Sequence, residues 1–311
     1  GANDDEAAFK ALRQADAHMD MIASALAGAI GKQFPDKITG AVDVPSANLR
    51  SALTLLLAEH TYLAAMTTDA ALGGRDSEFK AAAGALEQNT QALGAAIGVV
   101  YGDAATQAFL PLWRTHIGFF VDYTNAAAKG DQAAQQKALT DLTQYAQDFG
   151  AFLAAANPNL TKVGIAQALG PHVKTLTAVI DAQVAHKPED AYPALRQAYG
   201  HMGMIADTLS AAISKQFPAK FGMLMVATLN LTSTMTMTEP SAVPGTMPMS
   251  NTDPMTGAMA MTGTMVMTGT TSMSGTTSMP DATPLAPSPA PTTTAGMLRT
   301  QLDMLLGEHG L

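Results

Sequence analysis

The amino-acid sequence predicts an all-α protein, an antiparallel helical bundle of about eight helices built from an internal three-helix repeat. Three observations predict this fold. Apolar residues recur at the spacing of a helix face over most of the chain, and alanine and leucine dominate. Aromatic residues make up only 5% of the sequence, and valine, isoleucine and threonine form none of the alternating runs that are typical of strands.

Eight segments carry the helical period, and turn signals separate them. Ser46, Ser77, Asp103 and Asp131 are the predicted N-caps of the second to fifth segments, and successive segments end at GG, YGD, KGD, NPN and HKP. Such short connections join antiparallel neighbours. The predicted helices span residues 5–34, 46–72, 78–101, 104–129, 132–156, 162–186, 190–217 and 296–311.

Matching stretches of sequence indicate the repeat. Residues 11–35 match residues 194–218 at 17 of 25 positions, and LRSALTLLLAEH returns near the C-terminus as LRTQLDMLLGEH. A weaker match relates HIGFFVD at 116–122 to HMGMIAD at 201–207. The predicted organisation is therefore a bundle region at 1–220, with a unit at about 46–218 that follows a partial copy at 5–36, and a C-terminal helix at 295–311 that copies 46–62 and packs back on the bundle.

Residues 221–294 have a different composition, rich in threonine, serine, proline, glycine and methionine, with almost no charge. We expect a disordered, methionine-rich insertion there. It holds 13 methionines between positions 223 and 279, many as Met-x-Met. Its apolar start, FGMLMVATLNL, is too short to cross a bilayer, and no stretch of the chain approaches the roughly 20 apolar residues that a transmembrane helix needs.

Composition and motifs exclude several functions. The net charge of -9 argues against a nucleic-acid partner, and the absence of cysteine rules out disulfides, thiolate metal sites and covalently attached haem. No Glu-x-x-His or His-Glu-x-x-His occurs, so neither a di-iron carboxylate bundle nor the common zinc-protease site is expected. The chain has no nucleophile elbow or phosphate loop either, so the sequence predicts no enzymatic activity.

Six of the seven histidines fall on the apolar stripes of predicted helices, which predicts that they point inward. Buried imidazoles need partners, and the candidates are one another, a carboxylate or a shared metal ion. A polar network without metal is the alternative. The predicted metal ligands are His60, His116, His172, His201, His18 and His309.

Two groupings of these histidines are possible. Either His60, His116, His172 and His201 converge in one unit, or the six divide into two triads, His18 with His60 and His116, and His172 with His201 and His309. Glu59 and Glu308 directly precede two of the histidines. Adjacent helical residues point about 100° apart, so we expect these glutamates to face an adjoining helix and to support the site without binding the metal.

Methionine accompanies the histidines, and thioether with imidazole in the absence of thiolate points to copper, with Cu(I) favoured. Core packing is the ordinary alternative for methionines on helices, although it does not explain those in the insertion. The possible additional ligands are Met19, Met21, Met202, Met204, Met66, Met235, Met237, Met247, Met249, Met259, Met261, Met265 and Met267.

The runs LLLAEHTYLA, WRTHIGFFVDYT, ANPNL and the HMxM…QFP helix together resemble helical repeat proteins of bacterial envelopes that are sometimes labelled copper amine oxidase-like. The resemblance covers about 46–218. Copper amine oxidases make a quinone from tyrosine in an Asn-Tyr-Asp/Glu motif; no Asn-Tyr occurs here, so that activity is not implied. The Met-x-Met tract is similar to segments of bacterial periplasmic copper-resistance proteins.

The sequence thus predicts an extracytoplasmic protein that binds, stores or hands on copper, with a copper-donor or copper-acceptor protein as a possible partner. The first residues, GANDDEAAF, do not resemble a signal peptide, so the chain is either cytosolic or a mature form, and the resemblances favour the second. Two alternatives stay open: a haem b or redox bundle with His/Met ligation, and a structural envelope repeat protein without metal. Zinc is the alternative ion.

Overall fold

The computed structural model describes residues 2–221 and 293–309, and across these ranges the chain is all-α, as the sequence predicts. None of the helices in these ranges has the length and apolar character needed to cross a membrane. The helices are α1 (Ala2–Gln33), α2 (Pro45–Leu72), α3 (Asp76–Tyr101), α4 (Asp103–Lys129), α5 (Gln132–Ala156), α6 (Lys162–Val184), α7 (Pro188–Gln216), α8 (Pro218–Phe221) and α9 (Thr294–His309).

The eight predicted helices correspond to α1–α7 and α9, with ends that differ by a few residues. The sequence reasoning missed α8, because a single turn carries no hydrophobic period. Phe221, predicted as the first residue of the insertion, ends α8 and is fully buried. The remainder of the predicted insertion up to residue 292, with all of its methionines, lies outside the described residues.

One of the four predicted N-caps is confirmed. The Asp131 side chain accepts a hydrogen bond from the Ala134 backbone N–H, 3.0 Å away, at the start of α5. The predictions for Ser46, Ser77 and Asp103 are wrong, because all three residues lie inside the first turn of their helices. At α2 the first position belongs to Pro45, which has no N–H to satisfy there.

Helices α2 to α7 form a closed ring. Each packs against the next along the chain, and α7 packs against α2 to close the ring. Inside it, α2, α4 and α6 also contact one another, so alternate helices meet at the centre. A side chain on the inner face of any of these three helices can therefore meet side chains of the other two.

Helices α1 and α9 form a second layer on one side of the ring. They pack against each other, α9 also lies on α2, and α1 lies on α3. Arg13 of α1 binds Glu59 of α2, and Arg196 of α7 binds Glu308 of α9. In the repeat, α1 matches α7 and α2 matches α9, so Arg13 corresponds to Arg196 and Glu59 to Glu308. The two ion pairs therefore join equivalent positions.

Gly150 lies where α5 crosses the start of α6, and a Cβ there would collide with the backbone carbonyl of Lys162. We expect Gly150→Ala to lower the free energy of unfolding by about 1–3 kcal/mol, because backbone cannot move aside as a flexible side chain can. Urea denaturation followed by circular dichroism measures this. Gly84→Ala, at an exposed helical position with open space around it, should instead be neutral or raise stability by up to about 1 kcal/mol.

Asp303 of α9 is fully buried, and burial raises the pKa of its carboxyl to about 8, with a further contribution from Asp20 of α1. Ser51 of α2 donates to it. A carboxyl whose pKa is raised in the folded state contributes stability at pH values below about 4, and this contribution is lost as the pH rises through 8. We therefore expect the free energy of unfolding to fall by on the order of 2–5 kcal/mol between pH 5 and pH 9.

The Asp303→Asn variant tests this assignment, since it keeps the shape of the side chain and cannot ionise. Urea denaturation between pH 5 and pH 9 should show a clearly flatter profile for this variant than for the parent chain. Asp122→Asn, at an exposed position of α4, should keep the parent's slope. An unchanged slope in Asp303→Asn would assign the pH dependence to other groups.

Candidate metal centre

Three histidines meet at the centre of the ring, one from each alternate helix. They are His60 of α2, His116 of α4 and His172 of α6, and they offer ring nitrogens that all lie within 4.8 Å of one another. Their exposed fractions are 1%, 3% and 6%. We call these residues the histidine triad. Among the described residues, no other group of three or more His, Cys, Asp or Glu side chains has this spacing.

The spacing within the triad suits a metal ion. The Nε2 atoms of His60 and His116 are 3.3 Å apart. Two nitrogens bound to one ion at about 2.0–2.1 Å, in tetrahedral or trigonal geometry, lie about 3.3–3.6 Å from each other. Without an ion, one Nε2–H donates to the other Nε2. The same two atoms can therefore both be ligands once the proton on the donating Nε2 moves to Nδ1 of the same ring and the ring angles change slightly.

The triad is neutral at physiological pH. Burial lowers the pKa of His60 to about 3 and that of His172 to about 4, and the charge of a nearby histidine lowers each further. Burial also holds the pKa of His116 well below its usual range, and the other two histidines add to this effect. Neutral imidazole keeps a lone pair on one nitrogen, which is the form that binds metal.

The Nδ1 atoms of His60 and His172 are buried and have no hydrogen-bond partner; that of His116 is buried too, and the Trp113 backbone makes a contact with this ring that falls outside normal hydrogen-bond geometry but acts to raise its pKa. A buried polar atom without a partner costs about 1–3 kcal/mol. Metal-binding histidines usually donate their second N–H to a carboxylate or carbonyl, which fixes the ring and makes the other nitrogen more basic. The group of ligand atoms includes no Asp or Glu oxygen. The donor set is therefore three neutral nitrogens without a carboxylate.

Aromatic rings hold the triad in place. The Trp113 ring lies 4.9 Å from that of His60 and 4.6 Å from that of His116, and Tyr145 stacks on His116 at 4.9 Å. Phe120 meets His172 edge-on at 5.9 Å. The indole N–H of Trp113 and the hydroxyl of Tyr145 are buried without partners. Ring packing thus fixes the orientation of the imidazoles where hydrogen bonds do not.

The sequence reasoning did not identify these aromatic neighbours as part of the site. A signal was present, because Trp113 precedes His116 by three residues and Phe120 follows it by four, which places all three on one face of α4. Tyr145 on α5 had no such signal, since only the tertiary fold brings it to His116.

The structure brings together three of the six predicted histidines. His201 is half-buried, and its Nε2 lies 2.7 Å from the Ala168 carbonyl oxygen of α6. The prediction that His18 and His309 point inward is wrong, because both are exposed. They lie on α1 and α9, whose outer faces no further helix of the described residues covers. The division into two triads is accordingly wrong as well.

The predicted supporting residues lie elsewhere. Glu59 faces an adjoining helix, as predicted, where Arg13 and Asn89 bind its carboxylate, and Glu308 pairs with Arg196. Met202 and Met66 pack in apolar clusters, which is the alternative role considered for them. Met19 is half-buried, and Met21 and Met204 are exposed. The predicted methionine ligands from Met235 to Met267 lie outside the described residues.

Comparisons of the chain with protein-family models, with curated proteins and with solved structures found no match.

Proposed function

We propose that the protein is an extracytoplasmic copper-binding protein that holds one Cu(I) ion at His60, His116 and His172. One observation carries the proposal: three neutral, buried imidazoles from three helices converge at ligand spacing. A purely structural core would gain stability from apolar side chains at these positions. A bound ion explains why three imidazoles are buried together, whereas core packing does not.

The charge of the site favours a monovalent ion. The cost of placing an ion in a low-dielectric interior rises with the square of its charge, so a divalent ion costs about four times as much as a monovalent one. Zn²⁺ or Cu²⁺ would need a compensating anion, and no Asp or Glu belongs to the group. Cu(I) requires no such anion and accepts imidazole ligands.

The alternatives receive less support. Zinc bound by three histidines normally keeps a fourth position for water, whereas aromatic rings surround this triad. Two axial ligands of a haem iron lie on opposite sides of the metal, about 4 Å apart, with the porphyrin between them. The 3.3 Å between the Nε2 atoms of His60 and His116 leaves no such space.

The cellular role and location rest on different support. The methionine-rich segment resembles those of periplasmic copper-resistance proteins, and the chain contains no cysteine that oxidation could damage. Storage of copper, or its transfer between donor and acceptor proteins, suits a site that binds the ion without offering a position for substrate.

Competition with a coloured Cu(I) chelator under anaerobic conditions tests the proposal. We expect one tightly held Cu(I) per chain in a variant that lacks residues 222–292, and loss of that ion in the same variant carrying His116→Leu. His186→Leu, on an exposed loop, is the matched control and should bind as the parent does. If the full chain binds copper and the variant that lacks residues 222–292 does not, the site lies in the deleted segment and the proposed triad site is refuted.

A further inference from the structure

The triad is sealed, so an ion must reach it through the protein. His172 has the largest exposed fraction of the three, 6%, and is the member closest to solvent. A buried metal site requires an access route, and ligands along that route allow an ion to move by exchange without ever being bare in an apolar interior. The access route is therefore expected to pass the side chains around His172.

His201 of α7 lies beside His172. Its ring binds the carbonyl oxygen of Ala168, which is one helical turn before His172 on α6. Helical side chains lean toward the N-terminus of their helix, so the His172 ring lies over the turn of α6 that contains Ala168. Pro171 lies between these positions and has no N–H to donate to the carbonyl of Gln167, so this turn of α6 lacks one backbone hydrogen bond.

The hydrogen bond sets the tautomer of His201. A carbonyl oxygen only accepts, so Nε2 carries the proton and Nδ1 keeps its lone pair. Met204 follows three residues later on the same face of α7, and 57% of its surface is exposed. A free imidazole nitrogen and a thioether at this spacing form a pair of ligands suited to a soft ion, at the boundary between solvent and the triad.

We infer that His201 and Met204 are transfer ligands, which take Cu(I) from solvent or from a donor and pass it to His172. This inference rests on the proposed function of the triad. In the loaded protein the ion lies at the triad, so the pair speeds uptake and release without adding to the final affinity. No covalent bond or redox change is involved, because one set of donor atoms replaces another around the same ion.

The chain provides a matched control. His18 and Met21 of α1 lie within the same HMxM sequence, and the exposed fraction of Met21, 56%, equals that of Met204 within one percentage point. Helix α1 packs on α9, α3 and α2, whereas His172 belongs to α6. Local sequence and methionine exposure are thus alike at the two pairs, whereas His18 is exposed, His201 is half-buried, and only His201 has a triad histidine beside it.

The test is a stopped-flow measurement of Cu(I) uptake under anaerobic conditions. Trp113 is the only tryptophan of the chain and touches two triad histidines, so bound copper should quench its fluorescence. In the double variant His201→Gln and Met204→Leu, the amide still donates to Ala168 and leucine keeps the apolar bulk. We expect uptake and release to a chelator to slow by the same factor, about tenfold or more, with unchanged affinity.

The control variant, His18→Gln with Met21→Leu, should keep the rates of the parent. Unchanged rates in the His201/Met204 variant, or a loss of affinity equal to the loss of uptake rate, would overturn the inference and leave the triad site intact. A parent chain that takes up no Cu(I) would instead refute the proposed function.

Discussion

Saturation with Cu(I) should raise the free energy of unfolding by about 4 kcal/mol when the free ion is at 1,000 times its dissociation constant. The reason is that the three ligands converge only in the folded ring, where α2, α4 and α6 meet. An ion that binds the folded chain and not the unfolded one stabilises it in proportion to the logarithm of the ion's concentration. Urea denaturation followed by circular dichroism, with and without Cu(I), measures the effect.

The variant His116→Leu should separate stability from binding. Leucine has a similar volume and removes the buried Nδ1 of His116, but it also leaves the Nε2 of His60 without its hydrogen bond, so we expect the metal-free variant to be within about 1 kcal/mol of the parent in stability. The gain on adding Cu(I) should disappear. His309→Leu, at an exposed position of α9, should retain the full gain. If parent and His116→Leu gain equally from Cu(I), the ion binds outside the triad.

The helices could be predicted because each depends on its own residues. Spacing of apolar residues located eight of them, and the Asp131 cap was visible in the sequence since a capping side chain acts on the N–H groups that follow it. The starts of α2, α3 and α4 were misjudged because a cap depends on the conformation of one or two residues, which propensity does not determine. The ring closure between α2 and α7 carries no local signal.

The candidate site was predicted in part. The apolar stripe indicated which face of each helix was hydrophobic, and this was sufficient for His60, His116 and His172. The apolar stripe gave the wrong orientation for His18 and His309, which are exposed although their helices resemble α7 and α2 in sequence. Burial is a property of the neighbours: α3 to α6 cover the inner faces of α2 and α7, and nothing in the described residues covers the outer faces of α1 and α9. Sequence identity between two helices does not imply equal surroundings.

The largest effect away from the triad is expected at Arg13. Its guanidinium binds both carboxylate oxygens of Glu59, at 2.6 and 3.2 Å, and the two side chains are only 7% and 5% exposed. Asn89 adds a hydrogen bond of 2.6 Å to the same carboxylate. Arg13→Met should lower the free energy of unfolding by about 3–5 kcal/mol, because it leaves a buried charge without its partner.

The matching arginine of α7 provides the comparison for this experiment. Arg196 also pairs with a glutamate, but its side chain is 73% exposed, so Arg196→Met should cost at most about 1 kcal/mol and the cost should vanish in 1 M salt. The cost of Arg13→Met should persist in salt and should shrink when Glu59→Gln is added, since the uncompensated charge is then gone. Equal costs for the two arginines in urea denaturation would contradict the difference in burial.

The ion pair also bears on the metal centre, because Glu59 and His60 are consecutive residues of α2 and point about 100° apart. Arg13 and Asn89 hold Glu59 toward α1 and α3, and this fixes the rotation of α2 that turns His60 toward His116 and His172. We therefore expect Arg13→Met to weaken Cu(I) binding as well as the fold. Competition with the Cu(I) chelator should show lower affinity for Arg13→Met and the parent's affinity for Arg196→Met.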